Sequence, residues 1–437
     1  MTMIDPGKSF RKFLLLWSGE FISAIGSGLA SFGLGVYVFQ QTGLASATAL
    51  VMLLAFLPNL LLSPLAGVLA DRYDRRLLMV AGDGLSALGL LFILRCMVRG
   101  EAQFWQICVG VTISSIFTSL LEPSYKATIT DLLTEEQFTK ASGLVQVAGS
   151  AKYLISPVIA GYLLTVSDIK LLIVIDICTL LITIAATLAV RKGLVSVKQV
   201  RENTLWNEFR DGWSALSQNR GVLVLTVMAS VLTFFIGFIQ TLFTPMILGF
   251  ADSAALGRST TISALGMLVT SLIIGLVPIK KDYAKILSAA LFLAGLFMAG
   301  FGLRENMVLI CIFGFLFFAM LPFANTGLDY LIRTNIENAI QGRVWGLIGI
   351  ISQLGYVFAY IASGVLADTV FTPLLLEGGA LAGNVGKIIG TGPGRGTGFL
   401  VIIAGMLLSL TAGGLYQIKS VRRLEKRGVY VPENHLE

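Results

Sequence analysis

Twelve apolar stretches follow one another along this chain of 437 residues. Each approaches the about 20 residues that a helix, rising about 1.5 Å per residue, needs to cross a hydrocarbon core of roughly 30 Å. They run near 13–39, 45–70, 77–98, 104–121, 141–164, 169–190, 222–248, 260–279, 286–303, 307–328, 345–367 and 397–418. Leu, Ile and Phe are mixed with Gly and do not alternate with polar residues, so the pattern predicts helices, not barrel strands. Only 13% of the residues are charged and 55% are hydrophobic, against about 25% charged in soluble domains. That excludes a water-soluble fold. The opening MTMIDPGKSFRKF is basic, as a signal peptide's is, but the run from Phe13 to Phe39 is too long for a signal core. It reads as the first retained span, and the fold class is an all-α membrane protein of twelve transmembrane helices.

Charge sets the orientation. With the amino terminus inside, 24 of the 32 Lys and Arg fall on the cytoplasmic side and seven outside, and Lys152 lies within a span. The positive-inside bias then puts both termini in the cytoplasm of a cell-membrane protein. The net charge of +7 follows from topology with some attraction to anionic lipid, so no nucleic-acid partner is expected, and the C-terminal RRLEKRG reads as a juxtamembrane anchor. Cys96, Cys108, Cys178 and Cys311 fall within spans without metal-like spacing, and the single histidine, His435, lies in the tail. No metal and no cofactor is expected. GTGPGRGTG, Gly390 to Gly398, fits neither G-x-G-x-x-G nor G-x4-G-K-[ST] and reads as a flexible outer lead into span twelve.

Between spans six and seven lies a charged segment whose Leu205, Phe209, Trp213 and Leu216 recur at helical spacing, predicting an amphipathic helix on the cytoplasmic surface. The organisation is therefore a six-helix half over 1–190, a linker over 191–220 and a second six-helix half with a tail over 221–437. Paired halves of this kind enclose a midplane site in transporters. A weak repeat supports the pairing: GVLADR at Gly67–Arg72 follows span two, and GLVPIK at Gly275–Lys280 follows span eight. A second GVLAD, Gly364 to Asp368, ends span eleven on the opposite face, placing Asp368 at a helix C-terminus.

GVLADRYDRR, Gly67 to Arg76, resembles the signature loop of the major facilitator superfamily, approximately G-x-L-A-D-R-x-G-R-[KR] between the second and third helices. Gly67, Leu69, Ala70, Asp71, Arg72, Arg75 and Arg76 match, and Asp74 stands where the family has Gly. LLLWSGEFISAIGSGL, EPSYKATITDLLTEEQFTKASGL, IDICTLL and QGRVWGL are similar to the macrolide-efflux and siderophore-exporter branch. The resemblance implies a proton-driven exporter of small amphipathic molecules, working as a monomer among membrane lipids. It also implies a conformational latch formed by Gly67, Asp71, Arg72, Arg75 and Arg76. In the family picture Asp71 docks on the start of span eleven, here Arg343, Val344, Trp345 and Gly346, where a helix N-terminus attracts negative charge. The arginines would meet acids or lipid phosphates.

Ionisable residues inside a span are costly and suggest function. Glu20 lies about 12 Å into span one and Lys152 about 17 Å into span five from the same side, so the two are expected to face each other and to serve proton coupling. The alternatives are a fixed structural pair, or no contact. Lys152 replaces a glycine of the family's span-five element, and Ser114 stands where span four often has arginine. Asp83 and Asp176 read as structural hydrogen-bonding acids. Asp329 and Arg333, spaced i,i+4, suit an ion pair that could gate. The resemblance makes spans one, four, seven and ten the cavity helices, offering Phe21, Thr118, Phe234, Phe235, Gln240, Phe318 and Asn325. A mostly aromatic lining with few polar anchors suits an amphipathic substrate. A lipid or lysolipid translocator and a non-transporting sensor are the alternatives; no His cluster, zinc spacing or nucleophile arrangement points to an enzyme.

Overall fold

Proline decides where several of these helices bend. In the computed structural model, which describes residues 9–191, 205–277, 279–336 and 340–426, span four runs Phe104–Thr118, breaks at Ser119 and Leu120, and resumes as Leu121–Leu132. Pro123 lies four residues beyond Ser119, where its ring clashes with the carbonyl of residue i−4. Span five breaks likewise at Ile155, between Glu135–Leu154 and Ser156–Val166, beside Pro157. Span eleven, Gln341–Leu366, passes through a π-helical turn, Ala367–Phe371, into Thr372–Leu375, and Pro373 stands four residues beyond Thr369.

The other spans are Phe10–Thr42, Ala45–Arg72, Arg75–Val98, Ile169–Arg191, Arg220–Leu248, Ser253–Leu276, Tyr283–Phe301, Met307–Arg333 and Arg395–Gln417. With the three bent ones they make, among the described residues, twelve helices long and apolar enough to cross a membrane. Their outward faces are apolar: Leu61, Leu65, Leu272 and Phe358 are exposed, as contact with lipid tails requires. Spans four and ten run further than the apolar stretches predict, because helices continue into water once their ends turn polar.

The chain divides into two compact units, Met1–Arg201 with Asp252–Thr261, and Glu202–Ala251 with Ile262–Glu437. In the first, span one lies along span six through a seam of small residues. A Cβ on Gly26 would overlap Thr179, one on Gly33 would overlap Ile169, and one on Gly28 would meet Ser156 of span five. The close approach allows hydroxyls to cross between helices: Thr183 donates to the Gly19 carbonyl at 3.0 Å and Ser156 to the Ile25 carbonyl at 3.0 Å. Small interfacial residues are what membrane helices use in place of a hydrophobic driving force. Thr261, in the part of span eight that belongs to this unit, donates to the Leu154 carbonyl at the span-five break, 2.8 Å away.

In the second unit, span nine packs between spans ten and twelve, and span seven packs along span eleven. The linker helix, Leu205–Gln218, lies against span eleven, where Gly212 approaches the Arg343 carbonyl and Leu347. Leu216 is buried and Trp213 is 47% exposed. The apolar stripe therefore does not turn inward as one face; the side chains of Leu205 and Phe209 fall outside the described residues, as do 1–8, 192–204 and the tail from 427 that holds His435. A terminal helix, Lys419–Lys426, buries Val421 and Leu424.

Two sequence expectations change. Asp368 is not at a helix end, because the π-helical turn carries span eleven on to Leu375. The glycine-rich segment before span twelve is no bare lead either. Gly390, Gly392 and Gly394 take positive φ of 97°, 124° and 85°, which glycine adopts without a Cβ penalty. They bring Arg395 into the first turn of span twelve, 2% exposed, donating to the Gly302 carbonyl at 2.8 Å and pairing with Glu305 at 3.8 Å.

Candidate functional site

The loop between spans two and three is only Tyr73 and Asp74, and Asp74 stands at the N-cap of span three. It caps span three by accepting from the Arg76 amide at 3.0 Å, and it accepts from the Arg191 guanidinium, at the end of span six, at 2.9 Å. Burial works against its charge. The Arg191 bond, the Arg76 amide and the two guanidiniums outweigh that and hold its carboxyl below the usual carboxylate range.

Arg75 and Arg76 both turn to Asp131, on the last turn of span four. Arg75 Nη1 lies 2.6 Å from Asp131 Oδ1, and Arg76 Nη2 lies 2.9 Å from Asp131 Oδ2. Arg75 also donates to the Ala70 and Ala127 carbonyls at 3.2 Å each. The carboxylate is thus held by one arginine on each oxygen, and spans two, three, four and six are tied at one end of the first unit. The expected acid for these arginines is Asp131, 55 residues from Arg76. Asp71 and Arg72 end span two, and a Cβ on Gly67 would meet nothing within 4 Å.

Deeper in the same unit, the expected Glu20–Lys152 pair does not form. The Lys152 carbonyl lies against Gly28, eight residues and so about 12 Å further along span one than Glu20. The two heights differ because span one crosses span five higher than a count from the helix ends suggests. Lys152 instead acts on Asp176 of span six, whose Oδ1 accepts from the Ser27 hydroxyl at 3.1 Å. Glu20 Oε1 is shut off from solvent with no hydrogen-bond partner, and so is Asp83 Oδ2. Asp83 lies within electrostatic reach of both Glu20 and Asp176. Asp176 thus takes the hydrogen bond read for it from sequence, while Asp83 Oδ2 takes none.

The proposed lining residues fall in both units. In the first unit Phe21 sits against Trp17, ring centroids 5.4 Å apart, and Thr118 donates to its own helix at the Ser115 carbonyl. In the second, Phe235 is buried at 5% exposure and meets Phe234 edge-on at 5.3 Å. Gln240 accepts from the Tyr360 hydroxyl at 2.7 Å, linking spans seven and eleven. Phe318 meets Phe317 edge-on, and Asn325 is exposed. Asp329 and Arg333 do pair, at 3.8 Å, but both side chains are more than half exposed, where such pairs contribute about 0–1 kcal/mol. Arg333 also lies over the Trp345 ring at 5.7 Å.

The model of the Major Facilitator Superfamily matches residues 16–360. Macrolide efflux protein A of Streptococcus pyogenes is 28% identical over 370 residues, 82% of this chain and 90% of that protein. The lysophospholipid transporter LplT of Escherichia fergusonii is 25% identical over 271 residues, 58% of this chain and 65% of that protein. Among solved structures, the nucleoside transporter NupG superposes with a TM-score of 0.71 at 13% identity, covering 94% of this chain and 100% of that one.

Proposed function

The chain belongs to the major facilitator superfamily, and on that premise we propose that it is a secondary exporter of small amphipathic molecules of the macrolide type, coupled to protons and working by alternating access. The observation that carries this reading is the 28% identity to a macrolide efflux protein across 82% of the chain. The carboxyl group around Glu20 supports it, since a buried acid without a fixed cation can take up and release a proton. Lys152 joins through Asp176 rather than directly. Gly67, Asp71, Arg72, Arg75 and Arg76 act as the latch, with Arg75 and Arg76 held on Asp131. The two six-helix halves flank the 191–220 linker, both termini face the cytoplasm of the cell membrane, and the Asp329–Arg333 pair gates. Phe21, Thr118, Phe234, Phe235, Gln240, Phe318 and Asn325 line the route of an apolar substrate with few polar anchors.

The test is accumulation of a radiolabelled macrolide in cells expressing the wild type or Glu20→Gln, under imposed pH gradients. Gradient-dependent efflux that Glu20→Gln loses is the expected result; equal accumulation in cells with and without the protein would sink the reading. The match to a lysophospholipid transporter supports a second reading. A fluorescent lysophospholipid moved across proteoliposomes at a rate unaffected by macrolide would favour it.

A further inference from the structure

In the second unit, where spans seven and eleven begin and span ten stops, the linker helix and the terminal helix border a cavity of about 450 Å³. Its floor is apolar: Leu216, Val222, Ile336, Val344 and Leu424 line it and are all buried. Side-chain amides hold its frame. Asn219, the cap of span seven, donates to the Asn335 carbonyl at 3.2 Å, and Asn335 donates to the Leu424 carbonyl at 3.2 Å. Leu424 also fills the space over Gly221, where a Cβ would lie 2.7 Å from it. That contact brings Arg220 and Arg423, one residue before each, to the same cavity.

Neither arginine is spent on the protein. Among the described residues no ion pair or hydrogen bond ends on the guanidinium of Arg220 or of Arg423, and no acid lines the cavity. Their neighbour Arg422 differs, because it lies over the Tyr416 ring at 5.7 Å. Two cations lining one cavity repel each other, and an anion bound with them removes that repulsion. A planar guanidinium offers paired N–H donors that match the oxygens of a phosphate. The Ser420 hydroxyl, also on the cavity, adds a further donor.

The surroundings select the source of that phosphate. Trp213 of the linker helix, and Tyr416 and Ile418 at the end of span twelve, are exposed within a turn of the positions that line the cavity. Exposed aromatic side chains at the ends of spans sit at the level of the lipid headgroups. A free anion gains nothing from a floor of leucine, isoleucine and valine, whereas a phospholipid brings a charged phosphate and hydrocarbon together to that level.

We propose that this cavity binds the headgroup of an anionic phospholipid, with Arg220 and Arg423 on the phosphate and the apolar floor under the glycerol and the first acyl carbons. A lipid seated there touches the linker helix, the terminal helix and three spans at once, and so fastens the linker and the tail to the second unit.

Thermal unfolding of the full-length protein in a neutral detergent, titrated with dihexanoyl phosphatidylglycerol, tests the site. The wild type is expected to gain stability and saturate. In Arg220→Gln combined with Arg423→Gln the half-saturating concentration should rise about tenfold or more, as loss of a charge-assisted hydrogen bond implies. Lysine at both positions should restore part of the affinity, since it keeps the charge without the fork, and Arg422→Gln should leave the curve unchanged. Dihexanoyl phosphatidylcholine should not stabilise at concentrations that saturate phosphatidylglycerol, and inorganic phosphate should bind more weakly. Equal curves for wild type and the double variant overturn the site, and so does an equal loss in Arg422→Gln, which would mean diffuse positive charge. Equal stabilisation by phosphatidylcholine would leave only an apolar groove, and inorganic phosphate as effective as the lipid would make the ligand a free anion; either result refutes the proposal. Where the double variant does not fold, a photoactivatable phosphatidylglycerol on the wild type decides: label within 219–222 or 420–424 supports the site, and label only elsewhere removes it.

Discussion

Asp131→Ala should be among the most damaging single changes available outside the membrane core. It removes the carboxylate that two guanidiniums now share at 2.6 and 2.9 Å, leaving Arg75 the Ala70 and Ala127 carbonyls and Arg76 the Asp74 carboxylate at 4.0 Å. The Arg76 side chain keeps 2% of its exposure and that of Arg75 12%, so neither can turn to water without moving its helix. Breaking a buried pair by removing one partner costs about 3–5 kcal/mol. Asp131 itself retains 24% exposure, which argues for the lower end, about 3 kcal/mol. At about 2–4 °C per kcal/mol for a unit near 200 residues, the melting temperature in detergent should fall by about 6–12 °C. The control is Lys126→Ala, about one and a half helical turns away. Its partner Glu122 is 73% exposed, and the loss should stay within about 1 kcal/mol. Replacing both sides of the buried pair, Asp131→Leu with Arg76→Met, should recover part of the loss, since an apolar pair leaves less charge unpaired. If Asp131→Ala melts within a few degrees of the Lys126→Ala control, the two-arginine clamp is solvent-screened and the reasoning is wrong.

Three further outcomes follow from the same geometry. Asp74→Asn should flatten the acid limb of the stability curve. The folded carboxyl titrates below its ordinary pKa of about 3.9, so the stability it supplies is present above that value and is lost as pH falls through the folded one; acid melting curves that superimpose for wild type and Asp74→Asn would contradict this. Gly26→Ala should destabilise by about 1–3 kcal/mol through overpacking against Thr179, whereas Gly35→Ala, where the added Cβ meets nothing within 4 Å, should not; equal melting temperatures would refute the seam. Gly67→Ala should leave stability unchanged or raise it by up to about 1 kcal/mol, as helix propensity predicts in open space. A loss of efflux in that stable variant would locate its effect in the latch, and unchanged efflux would remove Gly67 from it.

How far the sequence could be read depended on the distance over which each fact is decided. Span boundaries are local: an apolar run long enough to cross hydrocarbon has one fate, and all twelve stretches became helices. The bends were less legible, because Pro123, Pro157 and Pro373 stand beside breaks or a π-helical turn while Pro58, Pro64, Pro245 and Pro322 stand inside unbroken helices. The ends of span four could not be seen, because Glu122, Lys126 and Asp131 look like a loop and are a helix continuing beyond the apolar stretch. Partners were the least legible part. Asp131 meets Arg76 across 55 residues and Asp74 meets Arg191 across 117, and no spacing rule connects them. Glu20 and Lys152 looked matched when depth was counted from the helix ends, and the contact of Lys152 with Gly28 shifts that register by about 7 Å, a little over one turn. Reading Asp74 as a mere departure from a glycine pattern missed its cap. The signal was available, since an aspartate two residues after one helix and just before the next is a standard N-cap position.

The bond between Asp74 and Arg191 also has a bearing on biogenesis. Its two ends are 117 residues apart, so at about 5–20 residues per second the ribosome delivers Arg191 about 6–23 s after Asp74. For that interval Asp74 can cap span three but has no guanidinium from span six to hold. The contact therefore closes only when the sixth helix has been inserted, and a nascent chain stalled earlier carries, at that end of the first unit, an acid still without its span-six arginine. The same carboxylate that orders the finished protein marks, while it is being made, whether the first half is complete.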